Sequence, residues 1–330
     1  MQISLRSSLL ILALFGIGFG IAVHRPLAVM QAEERLAAKG IVIELTAPEM
    51  SHFQKAWRRK SVDVAFDYSK ALPLKSMTDL SFLRCALYIN FNCNYTTNGQ
   101  AQVAAPPVYV TDGDIEKLLE CGDWITSLRL HGPKITDRGL RAIAKMPNLE
   151  FLVLDGSPIT DAGMHELRVL TKLVSVELSD TQVRWHFEVG PSDFEYLDQI
   201  CLNGSAVDER TLIELAKCKR LTSLSLEFNE LAAGTLGALR RIPLLTELQI
   251  RGVALQDQDW RTLVQLRQLT SLNLTDTNLD DAHALLLLQL PQLRMLFVPE
   301  GQISSQTAKV FENKGTSVIY GGNYFASEVE

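Results

Sequence analysis

Catalytic signatures are scarce in this sequence. Its six histidines lie singly, with no second ligand at helical or C-x-x-C spacing, so no zinc pattern is present. There is no phosphate loop and no G-x-S-x-G elbow. Asp276, Asn278 and Asp280 begin like a calcium loop. Its sixth position, however, is Asp281 where Gly is needed, and its twelfth is Leu287 where Glu is needed. These absences predict a protein without catalysis, metal or cofactor. Positive charge is also in deficit: 32 Lys and Arg stand against 38 Asp and Glu, a formal net charge of −6. Nucleic-acid binders carry a basic excess that neutralises phosphates, so this balance argues against a nucleic-acid partner. With 47% apolar and 21% charged residues, the 330-residue chain still has material for a large core, which excludes disorder over most of its length.

One apolar run is long enough to matter to a membrane. Leu9 to Val23 carries no polar side chain, and His24, Arg25 and Pro26 end it. At ~1.5 Å per residue, a helix from Ser7 to Val23 spans roughly 25 Å, just short of a ~30 Å hydrocarbon core. As an uncleaved single-pass anchor it would let Arg6 and Arg25 reach the two interfaces. As a secretory signal it would need small residues at a cleavage site, and Gly20 and Ala22 are the candidates. We read an anchor with an extracytoplasmic domain, and secretion after cleavage as the alternative. The flanking charges, Arg6 against Arg25 and Arg35, are matched and leave orientation open.

Leucine is the excess. The chain has 52, of which 37 fall between Trp124 and Glu300. They follow the phrase L-x-x-L-x-L, which begins at Ile125, Leu149, Leu173, Leu197, Leu221, Leu245, Leu269 and Leu293, always 24 residues apart. Ten, fifteen, eighteen and twenty-one residues after six of the eight starts comes another apolar side chain, as at Ile159, Met164, Leu167 and Leu170, or Leu231, Leu236, Leu239 and Ile242. The last three lie on one helical face. Thr136-Asp137 and Thr160-Asp161 stand just before that helix, where a side-chain oxygen can cap its free amides. Each unit is thus a short strand, a turn and a helix, too small to bury its apolar face alone but able to share a core with stacked neighbours. Strands stack about 4.8 Å apart and helices need about 10 Å, so the stack bends with the strands inside. The turn after the strand carries Ser157, Thr181, Ser205, Asn229 or Thr277, whose side chains can bond the buried turn backbone.

This pattern resembles the leucine-rich repeat proteins, most closely the form with I-T-D-x-G-L helices, seen here as ITDRGL from Ile135 and ITDAGM from Ile159. The resemblance covers about residues 110 to 320. It implies an α/β leucine-rich repeat solenoid: a curved horseshoe with a concave parallel sheet, convex helices and, here, an N-terminal transmembrane segment. The opening SLRSSLLILALFGIGFG with QAEERLAAKGIVIEL after it is similar to the leader of membrane-anchored repeat proteins of planctomycete bacteria. Such proteins are binding scaffolds, and the resemblance supplies no catalytic residue.

The expected organisation is a membrane segment over 1–30, a capping region over 31–83 and a divergent first repeat over 84–124. Eight regular repeats follow over 125–316, then a C-terminal cap over 317–330. In the divergent repeat, Ala86–Phe91 reads as the strand and Val110, Ile115, Leu118 and Cys121 as the helix positions, with a loop inserted at 92–109. Ser317–Tyr320 falls on the next 24-residue tick, and Gly321-Gly322 ends the stack. One repeat breaks the rule: Val183, Trp185, Phe187 and Val189 alternate with polar residues before Gly190-Pro191, which predicts an extended segment instead of a helix. Trp185 and Phe187 either fill the space of the missing helix or, with His186, form a specialised contact edge.

Cysteine pairing finds no support. Cys121 and Cys218 occupy one core position four repeats apart, Cys85 and Cys93 flank a strand, and Cys201 faces the concave side. Trp57-Arg58-Arg59-Lys60 is a basic cluster that reads as a solvated face. The functional candidates lie on the concave sheet, where strand positions four and six point inward and two, three, five and seven outward. From these we select Arg129, Phe151, Val153, Glu177, Asn203, Glu227, Arg251 and Phe297 as a partner-binding set on a polar, mildly acidic field. Phe151 and Phe297 would be anchors, and Glu177, Glu227 and Arg251 would set specificity. The expected function is a non-catalytic scaffold binding a protein or peptide, and the alternative is a structural part of the cell envelope using lateral or end contacts.

Overall fold

The computed structural model describes residues 110–321 and three strands before them: Ile41–Glu44 (β1), Ser61–Phe66 (β2) and Ala86–Phe91 (β3). The chain divides into two compact units, Met1–Val108 and Tyr109–Glu330. In the first, β1 runs antiparallel to β2, with Ile43 opposite Val64, and β2 runs parallel to β3. The Leu9–Val23 run, the basic cluster at 57–60 and the insertion at 92–109 lie outside the described residues. Among the described residues, no helix is long and apolar enough to cross a membrane.

The second unit is the repeat array. Its strands are Ile125–Leu130 (β4), Phe151–Val153 (β5), Ser175–Glu177 (β6), Gln199–Cys201 (β7), Ser223–Ser225 (β8), Glu247–Gln249 (β9), Ser271–Asn273 (β10), Met295–Val298 (β11) and Ser317–Tyr320 (β12). Each is parallel to the next. Leu128, Leu152, Val176, Ile200, Leu224, Leu248, Leu272 and Leu296 stand side by side at position four, at most 3% exposed. Position six is equally buried, so the 24-residue period is a physical column of side chains in the core. The helices are Asp112–Leu118 (α1), Asp137–Ile143 (α2), Asp161–Leu167 (α3), Glu209–Leu215 (α4), Asp257–Leu263 (α5), Asp281–Leu287 (α6) and Ser305–Asn313 (α7).

Two units depart from α-helix. Thr235–Arg241 is a 3-10 helix. Its N-cap is Gly234 (φ 81°), which offers no side-chain cap and admits the chain at a turn hostile to other residues. Between β6 and β7 there is no helix, as the Gly-Pro pair predicts, but the segment is not simply extended. Trp185 is left-handed (φ 58°), because the chain there wraps a carboxylate. The amides of Arg184 and Trp185 donate to Asp161 Oδ1 at 2.9 and 2.7 Å, and that of His186 donates to Oδ2 at 3.0 Å. Three consecutive amides around one anion form a nest. Trp185 is fully buried, its ring centroid 5.3 Å from those of Phe187 and Phe194. It fills the core where a helix is missing and presents no contact edge.

Asp161 belongs to a wider pattern. The N-cap threonine caps its own helix as expected: Thr136 Oγ1 accepts from the Arg138 amide at 3.3 Å and Thr160 Oγ1 from the Ala162 amide at 3.2 Å. The aspartate beside it looks forward instead. Asp112 accepts from the amide and hydroxyl of Thr136, Asp137 from those of Thr160, and Asp281 from those of Ser304. Each carboxylate therefore fixes the start of the helix in the following repeat. The turn hydroxyls also act as expected: Thr181 and Thr277 Oγ1 donate to Leu178 O and Leu274 O at 2.8 and 2.6 Å. At the C-terminal end the period shortens. Leu296 pairs with Val318, 22 residues on, so Ser317–Tyr320 sits two residues off the 24-residue tick. The turn through Gly315 (φ 88°) after α7 is tight, with the Thr316 amide bonded back to Phe311 O at 3.0 Å, and delivers the strand early.

Candidate functional site

Strands in register place equal positions of successive repeats next to one another, so the concave face is a set of rows. Rows five and seven are more closed than an outward-facing position implies. Val153, Cys201, Ser225 and Asn273 in row five, and Asn203, Glu227 and Thr275 in row seven, are all buried. Side chains about 4.8 Å apart on the inside of a curve cover one another. Of the candidate set, Phe151 is exposed, Arg129, Glu177, Arg251 and Phe297 are half-buried, and Val153, Asn203 and Glu227 are buried. Asn203 is committed to the sheet: its Oδ1 accepts from Ser225 Oγ at 2.7 Å and from the Glu227 amide at 2.8 Å.

Row three is the open row. Along the stack it reads Ser127, Phe151, Ser175, Gln199, Ser223, Glu247, Ser271 and Met295. Serine alternates with a long side chain, and the four long ones are exposed while the serines are half-buried. Two strand spacings separate the long side chains by about 10 Å, with a slot above each serine. Phe151 and Met295, 38% and 40% exposed, are the first and last of the long side chains.

The N-terminal half of the sheet gathers titratable groups. Asp155 Oδ1 accepts from the Ser179 amide at 2.9 Å, and its Oδ2 lies 4.0 Å from His131 Nδ1. Ser179 Oγ is 3.3 Å from Cys201 Sγ. Burial raises the Asp155 carboxyl and lowers the His131 imidazole. Glu177 is raised by burial and then by the Asp155 charge. The Cys201 thiol is pushed up to about 11 by burial, the wrong direction for a nucleophile, which needs a stabilised thiolate. Asp276, Asn278 and Asp280 also do not converge: Asp276 pairs with Arg251, Asn278 bonds the Leu255 backbone and Asp280 caps α6. No group of three or more His, Cys, Asp or Glu able to hold a metal occurs among the described residues.

A raised carboxyl has a thermodynamic sign. The folded state binds the Glu177 proton more tightly than the unfolded state, so stability falls as pH rises between the unfolded and folded values. Glu177→Gln is therefore expected to raise the melting temperature at pH 7, with the gain disappearing on acidification. Melting curves across the carboxyl range check this, and a pH-independent shift would contradict it.

Periodic reading of the sequence missed Phe228. At position eight, just past the strand, the chain turns left-handed in repeat after repeat: Gly132, Gly156, Asp180, Gly204, Phe228, Gly252 and Asp276 all have positive φ. Gly and Asp suit that backbone, whereas a bulky side chain there is an outlier. Phe228 (φ 56°) is 55% exposed. Its ring lies over Gly252, where a Cβ would come within 2.5 Å, and the Arg251 guanidinium sits 5.3 Å from the ring centroid. Arg251 Nε in turn donates to Asp276 at 2.7 Å. The available signal was the one aromatic in a column of Gly and Asp.

Parallel strands, short helices and a leucine column in register make an α/β repeat fold that resembles the leucine-rich repeat proteins. No protein-family model matches the chain, and no curated protein does. Among solved structures it is similar to internalin C2 of Listeria monocytogenes, at 21% identity, TM-score 0.43, over 68% of this chain and 88% of that one. It is also similar to the internalin InlF of Listeria monocytogenes, at 17% identity, TM-score 0.47, over 89% of this chain and 90% of that one.

Proposed function

We propose that this protein is a non-catalytic scaffold that binds a protein or peptide segment on its concave face, held at a membrane by residues 1–30 with the repeat array outside the cytoplasm. The observation that carries the reading is row three, with exposed Phe151, Gln199, Glu247 and Met295 about 10 Å apart and serine slots between. A polyproline II segment advances about 3.1 Å per residue with three residues per turn, so one lying along the stack brings every third side chain to a slot. Phe228 and Arg251 at the rim add the aromatic and arginine pairing that interface anchors favour. The upward shift of the Cys201 thiol speaks against that side chain as a nucleophile.

The test is cross-linked capture from native membranes with wild type, Phe151→Glu and Ser175→Trp, the last filling a slot. Glu227 is unsuitable for charge reversal because it is buried. A species held by wild type and lost from both variants supports concave binding. Equal capture by all three would overturn it and favour a structural role in the envelope through lateral or end contacts. Phe228→Gly separates anchoring from folding. It relieves a left-handed backbone worth roughly 1–2 kcal/mol, so stability should hold or rise by thermal melting while capture weakens.

A further inference from the structure

The convex side carries a recess that the concave reading does not use. Where its neighbours on either side have the α-helices α4 and α5, the repeat between them has the 3-10 helix Thr235–Arg241. It lines the recess with Ala232, Ala233, Gly234, Gly237 and the buried Ala238, side chains that end at Cβ or lack it. The repeat is therefore sunk between two fuller ones, leaving a cavity of about 700 Å³.

Charge gathers at this one place against the trend of the whole chain. Four arginines line the recess, Arg210 from α4, Arg240 and Arg241 from the 3-10 helix and Arg261 from α5, against the carboxylates of Asp208 and Glu209. Asp208 is already engaged, accepting from the Thr211 amide at 2.9 Å and lying 2.9 Å from His186 Nε2. Arg240 is oriented by bonds to Gly237 O and Gln265 Oε1, both 3.0 Å, and Arg210 by one to His186 O at 3.3 Å. The guanidiniums of Arg241 and Arg261 have no hydrogen bond or ion pair among the described residues. Guanidinium forks match phosphate oxygens in pairs, and several around one hollow suit an anion with more than one such group.

We propose that this recess binds a small polyanion carrying two or more phosphate groups, separately from any partner on the concave sheet. Its volume lies within the roughly 300–1,000 Å³ range of small-ligand sites and exceeds what one phosphate fills. The walls are polar and the rim is open, so binding is driven by charge and weakens with salt. The phosphates could belong to a soluble compound or to a lipid headgroup.

Calorimetric titration of the full chain in non-ionic detergent with sodium pyrophosphate at low ionic strength tests this. Two variants keep the fold. Arg241→Ala with Arg261→Ala removes two exposed guanidiniums, and Gly237→Trp fills the recess with every arginine in place, since a Cβ there meets only Arg240 Nη2 at 3.7 Å. Saturable binding by wild type, weakened about tenfold or more in both variants, is the expected result. Pyrophosphate that does not bind, or binds all three proteins alike, would overturn the proposal. A second arm identifies the source. Sedimentation with cardiolipin vesicles in excess of that with phosphatidylcholine vesicles, abolished by pyrophosphate and lost in Gly237→Trp, points to a headgroup, and pyrophosphate binding without that excess points to a soluble polyanion.

Discussion

Trp185→Ala is expected to cost about 3–5 kcal/mol of unfolding free energy, the range for emptying a large aromatic site in a core. The ring is fully buried and touches Phe187 and Phe194, in a repeat with no helix to collapse into the gap. Its indole Nε1 has no hydrogen-bond partner, so Trp185→Phe loses volume without losing a bond and should cost far less. The array adds a second consequence. Repeats couple only to their neighbours, so a defect at β6–β7 weakens the link between the strands before it and those after it. Urea unfolding followed by circular dichroism should show a lower midpoint and a broadened or split transition for Trp185→Ala. A loss below about 1 kcal/mol would mean the aromatic cluster is not core.

The second large effect is expected at Asp161. Its carboxylate receives three successive amides, and Asp161→Asn must turn an NH2 group toward at least one of them. Charge-assisted bonds contribute about 1.5–3 kcal/mol each when buried. Asp161 is half-buried, so water can recover part, and a net loss of about 2 kcal/mol is the expected scale. The diagnostic is local: amide exchange of Arg184, Trp185 and His186 should accelerate together, ahead of the strands. Unchanged protection of those three amides would show that the nest does not hold the turn.

The strand column and the helix faces were legible because burial is periodic in sequence when it is periodic in space. The position-four side chains of β4–β11 could be assigned to the core before any coordinate. Rows five and seven could not, since their closure comes from curvature, which brings Asn203 and Glu227 against neighbours 24 residues away. Asp137 reads as a cap for its own helix, and only the stack shows that it serves Thr160 of the following one. The shift of β12 depends on the turn at Gly315, which a tick mark carries straight through. Phe228 and the serine alternation in row three were visible as letters. They were overlooked because the period was traced through apolar positions, where neither belongs. The recess between α4 and α5 is written in Ala232-Ala233-Gly234, but small residues become a hollow only beside larger neighbours.

The forward-reaching aspartates bear on how such a gene could change length. Where an exchange removes or duplicates one whole 24-residue unit, strand rejoins strand, and a carboxylate again finds an amide at its expected place. The middle of the array is not interchangeable in that way. The turn at Trp185 needs Asp161 from the repeat before it and Thr211 after it, whose hydroxyl donates to Arg184 O at 2.6 Å. Those repeats must be inherited as a block. Recombination can lengthen or shorten the array on either side, while the segment from Asp161 to Thr211 keeps its turn only when it moves as a unit.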